Sequence, residues 1–181
     1  MSGSVVLWIL LALAIFWGVG VYNRLMRMRA RGFAALGSVE KHMKQYGELV
    51  SAHLAVPGAG TAPTAEHLPP EWAQMLTLLQ TLDHALKAAK GIPLSPEPLA
   101  LVSKAFDAVQ NAWMNLREVP ADLVGPAVPA AMQLQWDAAT VKVQTARGGC
   151  NQILTKYNEA IVQFPARLIV GILGFKPAGL L

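Results

Sequence analysis

The chain has 181 residues, a net charge of +4, 54% hydrophobic and 14% charged residues, and one cysteine. That length gives one modest domain with a real core plus an extra element, while a lone cysteine leaves no disulfide framework within the chain. The basic excess lies beside an apolar stretch, which argues for a membrane flank and against a nucleic-acid surface.

The hydrophobic excess is concentrated near the N-terminus. "SVVLWILLALAIFWGVGV", Ser4 to Val21, holds no charged residue in 18 positions, about the minimum for a helix that spans a bilayer. A cleaved signal peptide would carry Lys or Arg ahead of its apolar core and small residues at a cut site. Here only Met1, Ser2 and Gly3 precede the core, so a retained anchor is expected. Arg24, Arg27, Arg29 and Arg31 follow the span and no basic residue precedes it. The positive-inside rule then predicts a single-pass membrane protein whose body is cytoplasmic.

Past the anchor the pattern is helical, with no strand signature. Leu25, Met28, Gly32, Leu36, Val39, Met43, Tyr46, Val50 and Leu54 recur in steps of three and four, one stripe of a long helix. No proline separates it from the anchor, so a continuous rod of roughly 75 Å is expected. "VPGAGTAPTAEHLPP", residues 56–70, reads as a loop. Pro70 suits the first turn of a second helix, with Trp72, Met75, Leu79, Leu82, Leu86 and Ala89 on one face and an end near Gly91. "GIPLSPEP", residues 91–98, breaks it. A third helix carries Leu99, Val102, Phe106, Val109, Trp113 and Leu116 and stops before Pro120. A fourth, from about Val128 to Phe164, carries Met132, Trp136, Ala139, Val143, Ala146, Cys150, Ile153, Tyr157, Ala160 and Phe164.

Such spacing suits helices packed near 20° in an antiparallel bundle. The expected architecture is all-α, an N-terminal transmembrane helix continuing into a four-helix up-and-down bundle with two long and two short helices. Its parts are an anchor at 1–21, the bundle at 22–165 and an apolar tail at 166–181. This topology returns the end of the fourth helix to the membrane face. The tail candidates Phe164, Pro165, Leu168, Ile169, Ile172, Leu173 and Phe175 are delivered there. They can lie against headgroups, pack on a neighbouring subunit's anchor, or cap the bundle's own core.

Both ends of the chain resemble the LemA proteins. "YNRLMRMRARG" contains Tyr22, Asn23 and Leu25 of that family's opening Tyr-Asn-x-Leu and basic helix. "ATVKVQTARGGCNQILTKYNEAIVQFPARLIVGILGFKP" supplies Val143, Ala146, Arg147, Asn151, Tyr157, Asn158, Phe164, Pro165, Gly174, Phe175, Lys176 and Pro177 in register with its closing signature, and "VPADL" at 119–123 is similar to its Tyr-Pro-x-Leu turn. Cys150 stands where the family usually has a tyrosine, Ala139 and Thr140 replace a Thr-Glu pair, and "GELVSAHL" replaces an Ile-Pro-Asn-Leu segment. The resemblance implies a membrane-anchored four-helix bundle with no settled biochemical activity and no agreed catalytic residues.

The polar residues near the bundle base are Tyr22, Asn23, Asn151, Tyr157 and Asn158. Asn151 and Asn158 are seven apart, hence on one helix face beside core positions. Asn23 and Asn158 are expected to meet and align the two long helices; the alternative is that both face solvent or headgroups. Gly148 and Gly149 in mid-helix suggest close approach of another helix or a kink, since each costs about 1 kcal/mol against alanine.

No chemistry-bearing constellation emerges. His42 and His53 are three turns apart, His67 lies in a loop, and His84 follows Asp83, so none shares a helix face at metal-ligand spacing. No Glu-x-x-His pair points to a di-iron bundle, and "PGAGTAP" lacks the lysine of a phosphate loop. Cys150 reads as inert packing. The expectation is no catalytic residue, no metal and no cofactor. The favoured function is a non-enzymatic, membrane-tethered scaffold or adaptor in contact with lipid and with further copies of itself. The alternative is an accessory regulator of a membrane protease, or of an envelope-stress or signalling system, acting through a membrane-protein partner.

Overall fold

In the computed structural model the described residues are 2–55, 68–92, 94–119, 128–164 and 166–181. Residues 56–67 of the expected loop, which include His67, residues 120–127, which include most of the expected turn at 119–123, and Pro165 fall outside them. Five helices are described: α1 Ser2–Leu54, α2 Pro70–Gly91, α3 Pro96–Glu118, α4 Ala130–Val162 and α5 Ala166–Leu173. The apolar N-terminal stretch and the first body helix are one element of 53 residues, about 80 Å long.

Local chemistry accounts for the helix boundaries. Pro70 occupies the first position of α2, where its missing N–H has no helical partner in any case, and Glu71 and Lys90 complement the helix dipole at either end. α3 begins at Pro96, one turn earlier than its apolar stripe suggests, because prolines in a first turn lack only donors that are unsatisfied there anyway. Glu97 and Arg117 again match the dipole. α5 is the element that the apolar pattern alone does not reveal.

The helices pack in pairs, α1 chiefly on α4 and α2 on α3. Cross-contacts run in opposite senses between neighbours. Along α1 and α4, the Tyr46 hydroxyl donates to Thr140 Oγ1 at 2.9 Å, while Gly32 faces Leu154. Along α1 and α2, His53 lies on Trp72 with ring centroids 4.9 Å apart, while Glu40 meets Lys90 at 2.8 Å. Along α3 and α4, Trp113 stacks on Trp136 at 4.0 Å, while Arg147 donates to Ser103 Oγ at 3.1 Å.

The body's core centres on aromatic rings. Trp136 lies between Trp113 and Tyr46, whose centroid is 4.3 Å away, and Tyr46 also meets Phe106 at 6.0 Å. Two polar clasps close the outside. Glu40, only 7% exposed, is bound by both Lys44 and Lys90 at 2.8 Å, tying α1 to α2. Burial raises the Glu40 pKa, but the hydrogen bonds from the two ammonium groups outweigh it and hold the carboxyl below its ordinary value. Arg147 lies 5.0 Å above the Phe106 ring, joining α4 to α3 by a cation–π contact as well as through Ser103.

Gly148 and Gly149 depart from expectation. α4 runs uninterrupted through them, both are exposed, and a Cβ on either would meet nothing within 4 Å. No described part of the chain approaches them. Replacing both with alanine is therefore expected to stabilise the protein by about 1–2 kcal/mol, by restricting the unfolded chain without any clash. A rise in melting temperature in mild detergent checks this, and a fall would mean that the bare backbone is used.

Candidate functional site

α1, through its apolar N-terminal stretch, is the one helix among the described residues that is long and apolar enough to cross a membrane. The side chains of that stretch are outward-facing, from Val5 through Val19, and none of the most apolar window is buried. Where this segment ends, α1, α4, α5, the α2–α3 connector and the last residues of the chain converge.

α5 packs on the last turns of the apolar stretch. Gly18 leaves room for the Ile169 side chain, whose Cδ1 would lie 3.5 Å from an added Cβ. Ile169 is half-buried there. Phe164, Leu168, Ile172 and Leu173 instead point outward, with Phe164 81% and Ile172 83% exposed. Phe164 thus leaves the core stripe of α4, which continues through Leu154, Tyr157 and Ile161.

Gly174 ends α5. Its φ of 67° is a left-handed conformation available to glycine at little cost, and the Phe175 N–H donates back to the Val170 carbonyl at 3.3 Å, the Schellman closure. The turn brings Phe175 onto Tyr22 of α1, edge to face at 6.1 Å. From there residues 175–181 run without helix as a strap along α4.

The strap is bound through its backbone. The Tyr157 hydroxyl donates to the Lys176 carbonyl at 3.0 Å. The Asn158 amide donates to the Ala178 carbonyl at 2.8 Å and accepts the Ala178 N–H at 2.7 Å. Asn151 repeats this with Leu181, donating at 2.7 Å and accepting at 2.8 Å. The spacing is geometric. Seven residues of helix rise about 10.5 Å, and three residues of extended chain cover about 10 Å. Two side-chain amides two turns apart therefore match strap residues three apart.

The strap is also pinned on its far side. The Gly179 N–H donates to the Leu94 carbonyl at 3.0 Å, and a Cβ at position 179 would stand 2.5 Å from Pro96 Cα. Leu94 itself has φ 60°, although it is buried. A leucine in this left-handed region costs roughly 1–2 kcal/mol. Its side chain fills the space above Gly32, where an added Cβ would meet Leu154 at 3.0 Å and Leu94 at 3.3 Å. The Gly32 position thus sets how closely α1, α4 and the connector meet.

Asn151, Tyr157 and Asn158 are brought together by the strap, and Tyr22 joins them through Phe175. Asn23 does not. It is exposed, and the Asn158 amide pairs with the Ala178 backbone rather than with Asn23. Arg24, Arg27 and Arg31 are exposed. Arg29 is half-buried, its guanidinium 6.0 Å from the Phe33 ring centroid. Burial raises the Tyr157 hydroxyl's pKa, and the nearby Arg29 charge partly offsets this.

Among the described residues no group of three His, Cys, Asp or Glu could hold a metal ion. Burial pushes the Cys150 thiol up to about 11, so at neutral pH it is protonated and a poor nucleophile. Alkylation of Cys150 by iodoacetamide is expected to be slow in the folded protein and fast after denaturation. Rapid native labelling would show that this face of α4 opens.

The strap has no signature of its own in the sequence, because backbone recognition leaves no side-chain pattern in the bound segment. The asparagine spacing and a glycine after the apolar α5 run were its available signals. No family model, no curated protein and no solved structure matches the chain.

Proposed function

We propose that this is a non-enzymatic, single-pass membrane scaffold of the LemA type, with residues 1–21 as anchor and the body an antiparallel up-and-down four-helix bundle on the cytoplasmic side. The opposed pairings along α1–α2, α1–α4 and α3–α4 support the bundle topology. The arginines after the span support the orientation. The scaffold role rests chiefly on one observation. α5 lies against the anchor's final turns while Leu168, Ile172 and Leu173 remain exposed beside it. An apolar surface continuous with a span is covered either by lipid or by a further copy of the chain, and the proposal assigns it to self-assembly.

The test is the mass of the full-length protein in mild detergent beside a Leu168→Ser, Ile172→Ser, Leu173→Ser variant. These substitutions leave Ile169, Gly174 and the strap intact. A discrete oligomer that becomes monomeric in the variant is the expected result. A monomer in both would overturn self-assembly through α5 and assign its outer face to lipid.

A further inference from the structure

The strap closes one wall of a cavity of about 230 Å3 at the base of the helical body. The remaining walls include Arg29 of α1, Tyr157 of α4, and Leu94 and Ser95 of the connector, and the strap contributes Lys176. Two lining residues are cationic and, among the described residues, none is acidic. The ion pairs among the described residues use other cations: Lys44, Lys87, Lys90 and Arg147. Like charges facing one cavity without a carboxylate repel each other. An anion between them converts that repulsion into attraction.

The two cations come from parts of the chain that the fold positions independently. Arg29 lies on a continuous helix, beside Phe33. Lys176 follows the Gly174 turn, and its backbone carbonyl is held by the Tyr157 hydroxyl at 3.0 Å. Between them the connector adopts the left-handed conformation at Leu94, which is sealed by the hydrogen bond from Gly179. Backbone strain of this kind persists where the surroundings over-determine it, and it concentrates at ligand sites.

The lining chemistry suits an oxyanion with several acceptor oxygens. A guanidinium offers a planar fork of donors, an ammonium offers a point charge, and the Ser95 hydroxyl adds a neutral donor. The volume falls below the 300–1,000 Å3 range of drug-sized ligand sites and fits a headgroup-sized one. Height along α1 indicates the source. Arg29 is eight residues beyond Val21, about 12 Å along the axis. The headgroup layer extends roughly 5–7 Å outside the hydrocarbon, and helical side chains lean toward the helix N-terminus, here toward the membrane.

We propose that this cavity binds the phosphate of an anionic lipid headgroup, gripped by Arg29 from α1 and Lys176 from the strap. The lipid source rests on the reading of residues 1–21 as a membrane anchor. Occupation would tie strap and anchor helix together through one shared ligand, so headgroup binding would stabilise the closed base.

The experiment titrates the full-length protein in dodecyl maltoside with dihexanoyl phosphatidylglycerol, and separately with inorganic phosphate, reading heat of binding and melting temperature. Saturable binding of the lipid is expected. Arg29→Gln and Lys176→Gln should each weaken it about tenfold or more, as loss of a charge-assisted hydrogen bond does. Lys142→Gln, on an exposed face of α4, should leave it unchanged. Competition by inorganic phosphate would support the phosphate as the recognised group. Binding of phosphate without binding of the lipid would overturn the headgroup assignment. No saturable lipid binding, or binding indifferent to both variants, would overturn the proposal. The anchor reading is tested apart from this, by whether alkaline carbonate strips the protein from phosphatidylcholine vesicles.

Discussion

Trp136→Ala is expected to destabilise the body by about 3–5 kcal/mol, the range for deleting a large buried aromatic side chain. Trp136 is 1% exposed, stacks within 8° of parallel on Trp113 and touches Tyr46. Its indole N–H also donates to Gln110 Oε1 at 3.4 Å. Removing it vacates the place where α1, α3 and α4 meet, and takes from Trp113 its stacked ring and from Tyr46 the nearer of its two aromatic neighbours. Trp136→Phe keeps an aromatic face and should recover much of the loss. Denaturant unfolding in mild detergent, followed by helical circular dichroism, gives both values. Equal loss in the two variants would mean that the indole hydrogen bond, not ring packing, dominates.

Gly179→Ala is expected to release the strap without unfolding the helices. The added methyl would overlap the Pro96 backbone at 2.5 Å, and neither a helix N-terminus nor a strap bound on both sides can easily give way. Overpacking of this kind costs about 1–3 kcal/mol. It falls on a segment held mainly by the Tyr157, Asn158 and Asn151 hydrogen bonds and the buried Ala178. Hydrogen exchange at the Ala178 and Gly179 amides should speed up by ten- to a hundredfold, which corresponds to about 1.4–2.8 kcal/mol. Amides in the middle of α3 should exchange as before. Uniform acceleration across all helices would show that the strap and the body unfold as one unit.

The helices were legible because their signals are local. Pro70, Pro96 and Gly91 mark boundaries, and the steps of three and four from Leu25 to Val50 name the buried face of α1 almost residue by residue. The site was legible only in part. Asn151, Tyr157 and Asn158 stood out through spacing, but their partners are backbone atoms of Lys176, Ala178 and Leu181, which no side-chain pattern announces. The tail read as one apolar run is two structures, a helix that packs on α1 through Ile169 and a strap bound along α4, divided at Gly174. Gly18 packs against Ile169 of the same chain, a contact that joins two segments far apart in sequence. Gly148 and Gly149 carried a signal for close packing, and nothing in the described chain answers it.

The pairing of α1 with α4 has a consequence for the order in which the molecule is made. Tyr46 and Thr140, joined by a hydrogen bond, are 94 residues apart in sequence. α2 and α3, by contrast, are joined by a short connector and pack closely on each other. During synthesis the α2–α3 hairpin can close as soon as it emerges, because little loop entropy opposes it. The face of α1 that packs on α4 must wait for a helix translated much later. At roughly 5–20 residues per second, several seconds separate the synthesis of these two faces. The α1–α4 seam is therefore the last of the body's interfaces to be completed as the chain is made.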